Sequence, residues 1–263
     1  MLEKISILLN RCDTTERVFP ATDLYNEGWL LRIVLDWFSG QRNLRHPLSF
    51  TTNCRWFSEG LIPSQFLARF RGDPLAESWT HADGIIGNIE IGEDGKTDIR
   101  VSNKATHLTV VEAKLFSKLS PGVSNARYFD QAARYVACIA EILYRAKRSP
   151  QSFKRLGFYV PAPDEQIRAG VFGSKMQLSS ISDKVKRRVE EYGGQKEKWF
   201  KEWFLLTLDR LDVGYISWEM ILDFIKQKDK KCFDEISDFY NKCLTYNRPE
   251  KHGLDLGRGR TGK

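Results

Sequence analysis

The sequence predicts an α/β fold in which a mixed central sheet is flanked by helices and followed by a helical C-terminal extension. Three observations support this. Residues 107–114 have the apolar composition of a buried strand, and strongly amphipathic stretches at 20–40 and 128–148 lie on either side of it in the chain. From about residue 177 onward, apolar and aromatic residues recur at helical spacing.

The chain of 263 residues is long enough for one large domain or for a domain with an appendage. We expect a core over residues 1–175 and a helical extension packed on it over residues 176–246. The segment 247–263 is basic and rich in glycine, and we expect it to be a flexible tail.

The first amphipathic helix is predicted in "FPATDLYNEGWLLRIVLDWFSG", where Gly40 can end it. Glu27 lies on the apolar stripe of this helix. A buried lone carboxylate is costly, so Glu27 should be paired, bound to a ligand, or placed at the helix edge in contact with solvent. The stripe consists of Leu24, Leu31, Val34, Leu35 and Phe38.

Three strands are predicted next, at 81–91, 98–102 and 107–114, separated by turn sequences. Side chains alternate between the two faces of a strand, so Glu112 and Lys114 share one face at the end of "LTVVEAK". Asp83 lies on the longer strand 81–91. Asp98 is its rival, because a tight turn at 103–106 would place Asp98 almost opposite Glu112.

A loop rich in Ser, Gly and Pro precedes the second amphipathic helix, "YFDQAARYVACIAEILYRAKR". Gln131 and Tyr135 lie one turn apart on this helix, beside its buried stripe. A buried strand, "RLGFYVPA", follows and ends at two prolines. Further helices are predicted after it.

Composition narrows the class of protein. Hydrophobic residues make up 41% of the chain and aromatic residues 12%, which is enough for a sizeable core and argues against wholesale disorder. The net charge of +7 favours anionic partners, with nucleic acid first. Five scattered cysteines without a C-x-x-C pattern suit reduced thiols in a cytoplasmic protein. No signal peptide and no membrane span are expected.

The order of these elements and their polar residues resembles the PD-(D/E)XK, or restriction-endonuclease-like, nuclease superfamily. In that core an aspartate on one strand faces an E-x-K on the next, and flanking helices add an acid and a polar residue. Here "HAD" stands where the family often has Pro-Asp, and the Q-x-x-x-Y helix looks like that of the RecB-like branch. The stretch "EAKLFSKLSPGVSNARYFDQAARYVAC" is also similar to a group of uncharacterised bacterial proteins assigned to this superfamily.

The resemblance covers roughly residues 20–160 and implies a restriction-endonuclease-like core with a Mg²⁺ or Mn²⁺ site. Asp83 and Glu112 would be the central ligands, with the Ala113 carbonyl as a further ligand and Glu27 as a distal one. A few carboxylates suffice because Mg²⁺ prefers oxygen ligands and keeps several waters.

The implied activity is that of a Mg²⁺-dependent deoxyribonuclease. Lys114 would polarise the attacking water or steady the developing charge, and Gln131 would position water or phosphate. The residues expected to contact nucleic acid are Lys118, Arg127, Arg134 and Tyr135, where Tyr135 would stack or hydrogen-bond. The alternative is a catalytically inactive nucleic-acid-binding module that keeps the fold. The sequence leaves open DNA or RNA, and a monomer or a homodimer.

Overall fold

The computed structural model describes residues 1–92, 97–122 and 125–249. The predicted turn 92–97 and the predicted tail 247–263 therefore fall largely outside the described residues. The strands are β1 (Arg55–Phe57), β2 (Gly60–Ile62), β3 (Thr80–Ala82), β4 (Gly84–Gly87), β5 (Ile89–Ile91), β6 (Ile99–Val101), β7 (His107–Val111), β8 (Arg155–Ala162) and β9 (Asp212–Ser217).

Helices surround these strands, and a π-helical turn at Phe200–Phe204 joins two of them into one continuous element. The helices are α1 (Leu2–Asn10), α2 (Glu27–Ser39), α3 (Gln131–Arg145), α4 (Asp164–Arg168), α5 (Leu178–Glu190), α6 (Glu197–Trp199), α7 (Leu205–Arg210), α8 (Trp218–Lys228) and α9 (Lys230–Asn247). Among the described residues, no helix combines the length and the apolar character that a membrane crossing needs.

The central sheet has five strands in the order β1-β4-β7-β8-β9. The first three are antiparallel neighbours, whereas β7, β8 and β9 run parallel. Two-stranded ribbons, β2–β3 and β5–β6, lie outside it. The predicted α/β class, with a mixed central sheet flanked by helices and a helical C-terminal part, is confirmed.

Helices cover the sheet on both faces. Ile85, Val110 and Phe158 pack in the same apolar core as α3, and Ile86 and Val111 pack in the core on the other face, with α2, α8 and α9. β7 is buried along its whole length and β8 is buried after Arg155, as expected for strands with a helical layer on each side, whereas the edge strand β9 is buried only at its end.

The predicted strand 81–91 is divided into β3, β4 and β5. The breaks fall at Asp83, where the chain leaves the β2–β3 ribbon and enters the central sheet, and at Asn88, where it leaves the sheet for the β5–β6 ribbon. The Asn88 side chain fixes the second bend, because its Oδ1 accepts the backbone N–H groups of Thr106 (3.0 Å) and His107 (3.2 Å).

The C-terminal part also differs from the prediction, which had only helices after residue 177. β9 is the edge strand of the central sheet and runs parallel to β8 along six residue pairs. The region 176–246 therefore contributes to the sheet as well as packing on it. The aromatic residues on both sides of β9 recur at helical spacing, so the hydrophobic pattern predicted helix across this short strand as well.

Candidate functional site

Asp83 and Glu112 lie at one end of the sheet, where β4 begins and β7 ends. The antiparallel register pairs Gly84 with Val111, so the next pair in that register is Asp83 with Glu112. The Ala113 backbone N–H donates to Oδ2 of Asp83 at 2.8 Å. The two carboxylates therefore come from neighbouring strands and lie at the same sheet edge.

The packing of α2 against β4 brings the sheet edge and this helix close together. A Cβ atom on Gly84 would lie 2.9 Å from side-chain carbons of both Leu31 and Leu35. Glycine at 84 thus allows two leucines of α2 to lie directly on the strand beside Asp83.

Glu112 is surrounded by hydrogen-bond donors. Its Oε1 accepts from Lys114 Nζ at 2.5 Å and from Gln131 Nε2 at 2.6 Å. Its Oε2 accepts from the Tyr135 hydroxyl, which also lies 2.6 Å from the His81 carbonyl oxygen. Glu112 is 3% exposed, so the surrounding protein supplies the contacts that water would otherwise make.

Neighbouring elements fix the donors in place. Gln131, the first residue of α3, exchanges hydrogen bonds with the backbone of Ser120 in the loop after β7. The N–H of Lys114 donates to the Pro161 carbonyl of β8 at 2.9 Å. Its own carbonyl accepts from the Trp218 indole N–H at 2.8 Å. The E-x-K segment is therefore fixed by hydrogen bonds to β8 and to α8, although the regular strand β7 ends at Val111.

Asp83 is the acid of this pair whose ionisation is strongly perturbed by its surroundings. Burial, followed by the nearby Glu112 carboxylate, raises the pKa of Asp83 from 3.8 to about 8, against the lowering effects of Lys114 and the Ala113 N–H. The Lys114 ammonium is in contact with Glu112. Asp83 is therefore a carboxyl group that a positive charge would stabilise strongly in its ionised form.

Glu59 is a contributor that sequence reasoning missed. It lies in the tight connection between β1 and β2 with a φ of 57°, pairs with Arg32 at 3.2 Å, and its charge also raises the pKa of Asp83. No periodicity or motif marks it. Its only signal is the Ser-Glu-Gly turn, which is common in hairpins.

The predicted distal ligand, Glu27, is not brought into hydrogen-bonding or ion-pair contact with Asp83, Glu112 or Lys114. It is the first residue of α2, one turn before Leu31. Burial, followed by the charge of Glu27, raises the pKa of Cys243 on α9 to about 12. Glu27 thus lies in the helical layer on the α9 side.

The rival aspartate, Asp98, is not opposite Glu112. It lies beside the β5–β6 ribbon, where it forms an ion pair with Arg100 at 2.9 Å. β6 pairs with β5 and β7 pairs with β4, so the turn at 103–106 does not bring Asp98 to the sheet edge. By position, Asp83 is the aspartate next to the E-x-K segment.

The residues expected to contact nucleic acid fall into two groups. Lys118 and Arg127 are exposed in the loop between β7 and α3. Arg134 is largely covered and lies 4.0 Å from Glu77, so it does not present its charge beside Arg127 as expected. Tyr135 is 1% exposed and its ring stacks on Phe158, so it cannot stack on a base and acts through its hydroxyl instead.

Few side chains at this end of the sheet could serve as ligands of a metal ion. Within residues 1–92, 97–122 and 125–249, no three His, Cys, Asp or Glu side chains are grouped so that they could hold one. The fold does bring two carboxylates together, from Asp83 and Glu112, beside the backbone of the fully buried Ala113. Two carboxylates with added waters suit Mg²⁺ or Mn²⁺ better than a softer metal.

No protein-family model, curated protein or solved structure matches this chain. Its function therefore has to be inferred from the arrangement of its own residues.

Proposed function

We propose that the protein is a metal-dependent nuclease that hydrolyses phosphodiester bonds in DNA, with a restriction-endonuclease-like core of the PD-(D/E)XK type. The observation that carries the proposal is the placement of Asp83 beside Glu112 and Lys114 at one sheet edge. RNA is the alternative substrate for the same chemistry.

The order of the elements supports the same proposal. Five elements follow one another along the chain in the expected order. Helix α2 begins with an acid, β4 follows an aspartate, β7 leads into E-x-K, α3 carries Q-x-x-x-Y, and β8 runs parallel to β7. Gln131 and Tyr135 both donate to Glu112, which gives the Q-x-x-x-Y spacing a physical role.

Asp83 and Glu112 would hold Mg²⁺ or Mn²⁺, with the Ala113 carbonyl as a further ligand. Waters would complete the coordination in place of Glu27, the distal ligand that the resemblance implies, because Glu27 is not grouped with the two carboxylates. Such an ion, when bound, supplies an acidified water and neutralises charge on the phosphate. A divalent cation also offsets the repulsion and burial that raise the pKa of Asp83.

The chain's own residues have separate roles in this proposal. Lys114 places a positive charge at the sheet edge, where it would stabilise charge developing on phosphate oxygens. Tyr135 and Gln131 hold the Glu112 carboxylate in one orientation, and they act as positioning residues. Exposed Lys118 and Arg127 would neutralise backbone phosphates, which makes binding dependent on salt.

A second candidate is a nucleic-acid-binding module that keeps this fold without turnover. It is favoured by the three donors that Glu112 already accepts from Lys114, Gln131 and Tyr135. A carboxylate has about four lone-pair directions, so three donors leave roughly one for a metal.

Cleavage and metal binding, measured on the same variants, separate the two candidates. Plasmid and linear DNA are incubated with Mg²⁺ or Mn²⁺, and metal affinity is measured by calorimetry. Glu112→Ala should weaken metal binding, because it removes a ligand oxygen. Lys114→Ala should bind metal nearly as well as wild type but cleave ~100-fold more slowly, because it lacks the charge that stabilises the transition state.

Asp98→Asn is the matched control, because Asp98 is a carboxylate of similar exposure that is paired elsewhere. It should leave both cleavage and metal affinity unchanged. Cleavage by Lys114→Ala at the wild-type rate would exclude a catalytic E-x-K. Metal binding without any cleavage by the wild-type chain would favour the inactive module.

A further inference from the structure

A basic cavity lies at the opposite end of the parallel strands from Glu112. Its volume is about 310 Å³, and its walls include Arg45, Thr109, Lys154, Arg155, Arg210 and Asp212. In the parallel register of β7 and β8, Arg155 is opposite His107, at the start of both strands. Five residues of β7 separate this level from Glu112, or roughly 16 Å along the strand.

Two arginines of this cavity are held by backbone carbonyls. Nη1 of Arg155 donates to the carbonyls of His46 (3.2 Å) and Ser49 (3.1 Å) and to the Ser49 hydroxyl (2.5 Å). Nη2 of Arg210 donates to the carbonyls of Phe153 (2.6 Å) and Lys154 (3.0 Å). These contacts fix both guanidinium groups without neutralising them.

The remaining N–H groups of the two arginines are available to a ligand. All side-chain hydrogen bonds of Arg155 to described residues use Nη1, and those of Arg210 use Nη2. In the described part of the chain, no carboxylate oxygen lies within 4.0 Å of either guanidinium. Arginines elsewhere in the protein, such as Arg188 and Arg69, are paired with acids.

Positive charge dominates the walls of the cavity. Arg45, Lys154, Arg155 and Arg210 face a single acid, Asp212, whose carboxylate accepts a hydrogen bond from the Tyr159 hydroxyl. An adjoining cavity of about 490 Å³ shares Arg155 and adds Arg42. A concave site with fixed, unpaired guanidinium groups matches the planar, bidentate recognition of phosphate oxygens.

We infer that this cavity binds a phosphoryl group, either of a free nucleotide or at the end of a nucleic-acid strand. Arg155 and Arg210 bind the phosphoryl oxygens, and Lys154 and Arg45 attract the anion at the mouth. The ~310 Å³ volume is at the lower end of the range of ligand pockets and suits a ligand of nucleotide size. This inference does not depend on the nuclease proposal, because none of these residues belongs to the Asp83–Glu112 edge.

Binding is tested on the full chain in EDTA, by calorimetry and thermal shift. The probes are inorganic pyrophosphate, AMP, and one oligonucleotide with either a 5′-phosphate or a 5′-hydroxyl. Saturable binding of pyrophosphate or AMP below ~1 mM supports a free ligand. A preference of ~10-fold or more for the 5′-phosphorylated oligonucleotide supports a strand end. No saturable binding of any probe up to ~10 mM at low salt overturns the inference.

Variants locate the binding. Arg155→Gln and Arg210→Gln keep a polar side chain but remove the charge, and each should weaken binding by ~10-fold or more. Lys154→Glu at the exposed mouth anchors no other segment, so it keeps the inference testable if an arginine variant fails to fold. Lys186→Ala, on the exposed face of α5, is the matched control. Equal weakening by the control, or none by the cavity variants, would refute the site.

Discussion

Replacing Asp83 by asparagine should stabilise the metal-free protein. The folded state raises the pKa of this carboxyl from 3.8 to about 8. At pH 7 this carboxyl is ionised in the unfolded chain but keeps its proton in the folded chain. The interval between the unfolded pKa of 3.8 and pH 7 is roughly three pH units. At about 1.36 kcal/mol per unit, the cost to folding is on the order of 4 kcal/mol. Asp83 is partly exposed, so screening should reduce the measured gain to ~1–3 kcal/mol.

The sign of the pH dependence is a second part of this prediction. Because the folded pKa lies above the unfolded one, the stability contributed by the protonated carboxyl is fully present below pH 3.8 and is lost as the pH rises to about 8. The advantage of Asp83→Asn over wild type should therefore grow between pH 4 and pH 8. Asparagine can still accept the Ala113 N–H, so the backbone contact is kept.

Chemical denaturation at several pH values, in EDTA, measures the effect. Asp98→Asn is the control, because it removes an acid that is paired with Arg100 and should give no gain. Adding Mn²⁺ should then stabilise wild type more than Asp83→Asn, since a cation that binds only the folded state raises its stability. A gain that is absent at pH 8, or the same at every pH, would show that Asp83 is not held in a raised-pKa environment.

Three further predictions concern other buried groups. Tyr135→Phe keeps the ring packing but leaves Glu112 without one donor, and should cost ~1–3 kcal/mol of stability in denaturant titrations. Arg188→Ala should cost ~3–5 kcal/mol, because the buried Glu77 carboxylate loses its nearer charged partner at 3.2 Å and keeps only the more distant Arg134 at 4.0 Å among the described residues; Glu77→Gln in the same chain should recover part of that loss. Burial, followed by nearby positive charge, lowers the pKa of His107 from 6.5 to about 4. Its neutral form therefore contributes stability above pH 6.5 that is lost as the pH falls toward 4, and His107→Asn should make melting temperature less sensitive to acid over that interval.

Local pattern was enough to predict the parts of the site that lie on regular elements. Alternation predicted that Glu112 and Lys114 share one face, and the two side chains are in contact just beyond the end of β7. Helical spacing placed Gln131 and Tyr135 on one side of α3. These relations follow from fixed periods of 2 and 3.6 residues, which the sequence displays directly. The contact between the two elements is tertiary, and only the family resemblance suggested it.

What the sequence could not predict is where strands change partners. Ile85, Ile89 and Ile91 share one face of the pattern at 81–91, so periodicity gave no sign that the chain leaves one sheet at Asp83 and another at Asn88. The partial burial of Arg134 near Glu77 was missed for another reason, because a charged residue on a helix flank is normally solvated. β9 was missed because six residues between two aromatic-rich helices are too few for a clear period.

The arrangement at the sheet edge is poorly suited to a purely structural role. One ammonium, one amide and one phenol, from two elements, converge on the Glu112 carboxylate, and no Lys or Arg of the described residues forms an ion pair with Asp83. A well-packed apolar edge of the same volume would fold at least as well, because burying charges costs about as much as pairing them returns. If these residues only stabilised the fold, we would expect Lys114 to form ion pairs with both Asp83 and Glu112, or one of the two positions to hold an uncharged residue. The Glu112 carboxylate beside Asp83 helps to raise the pKa of Asp83, and a cation bound next to Asp83 would lower that pKa again.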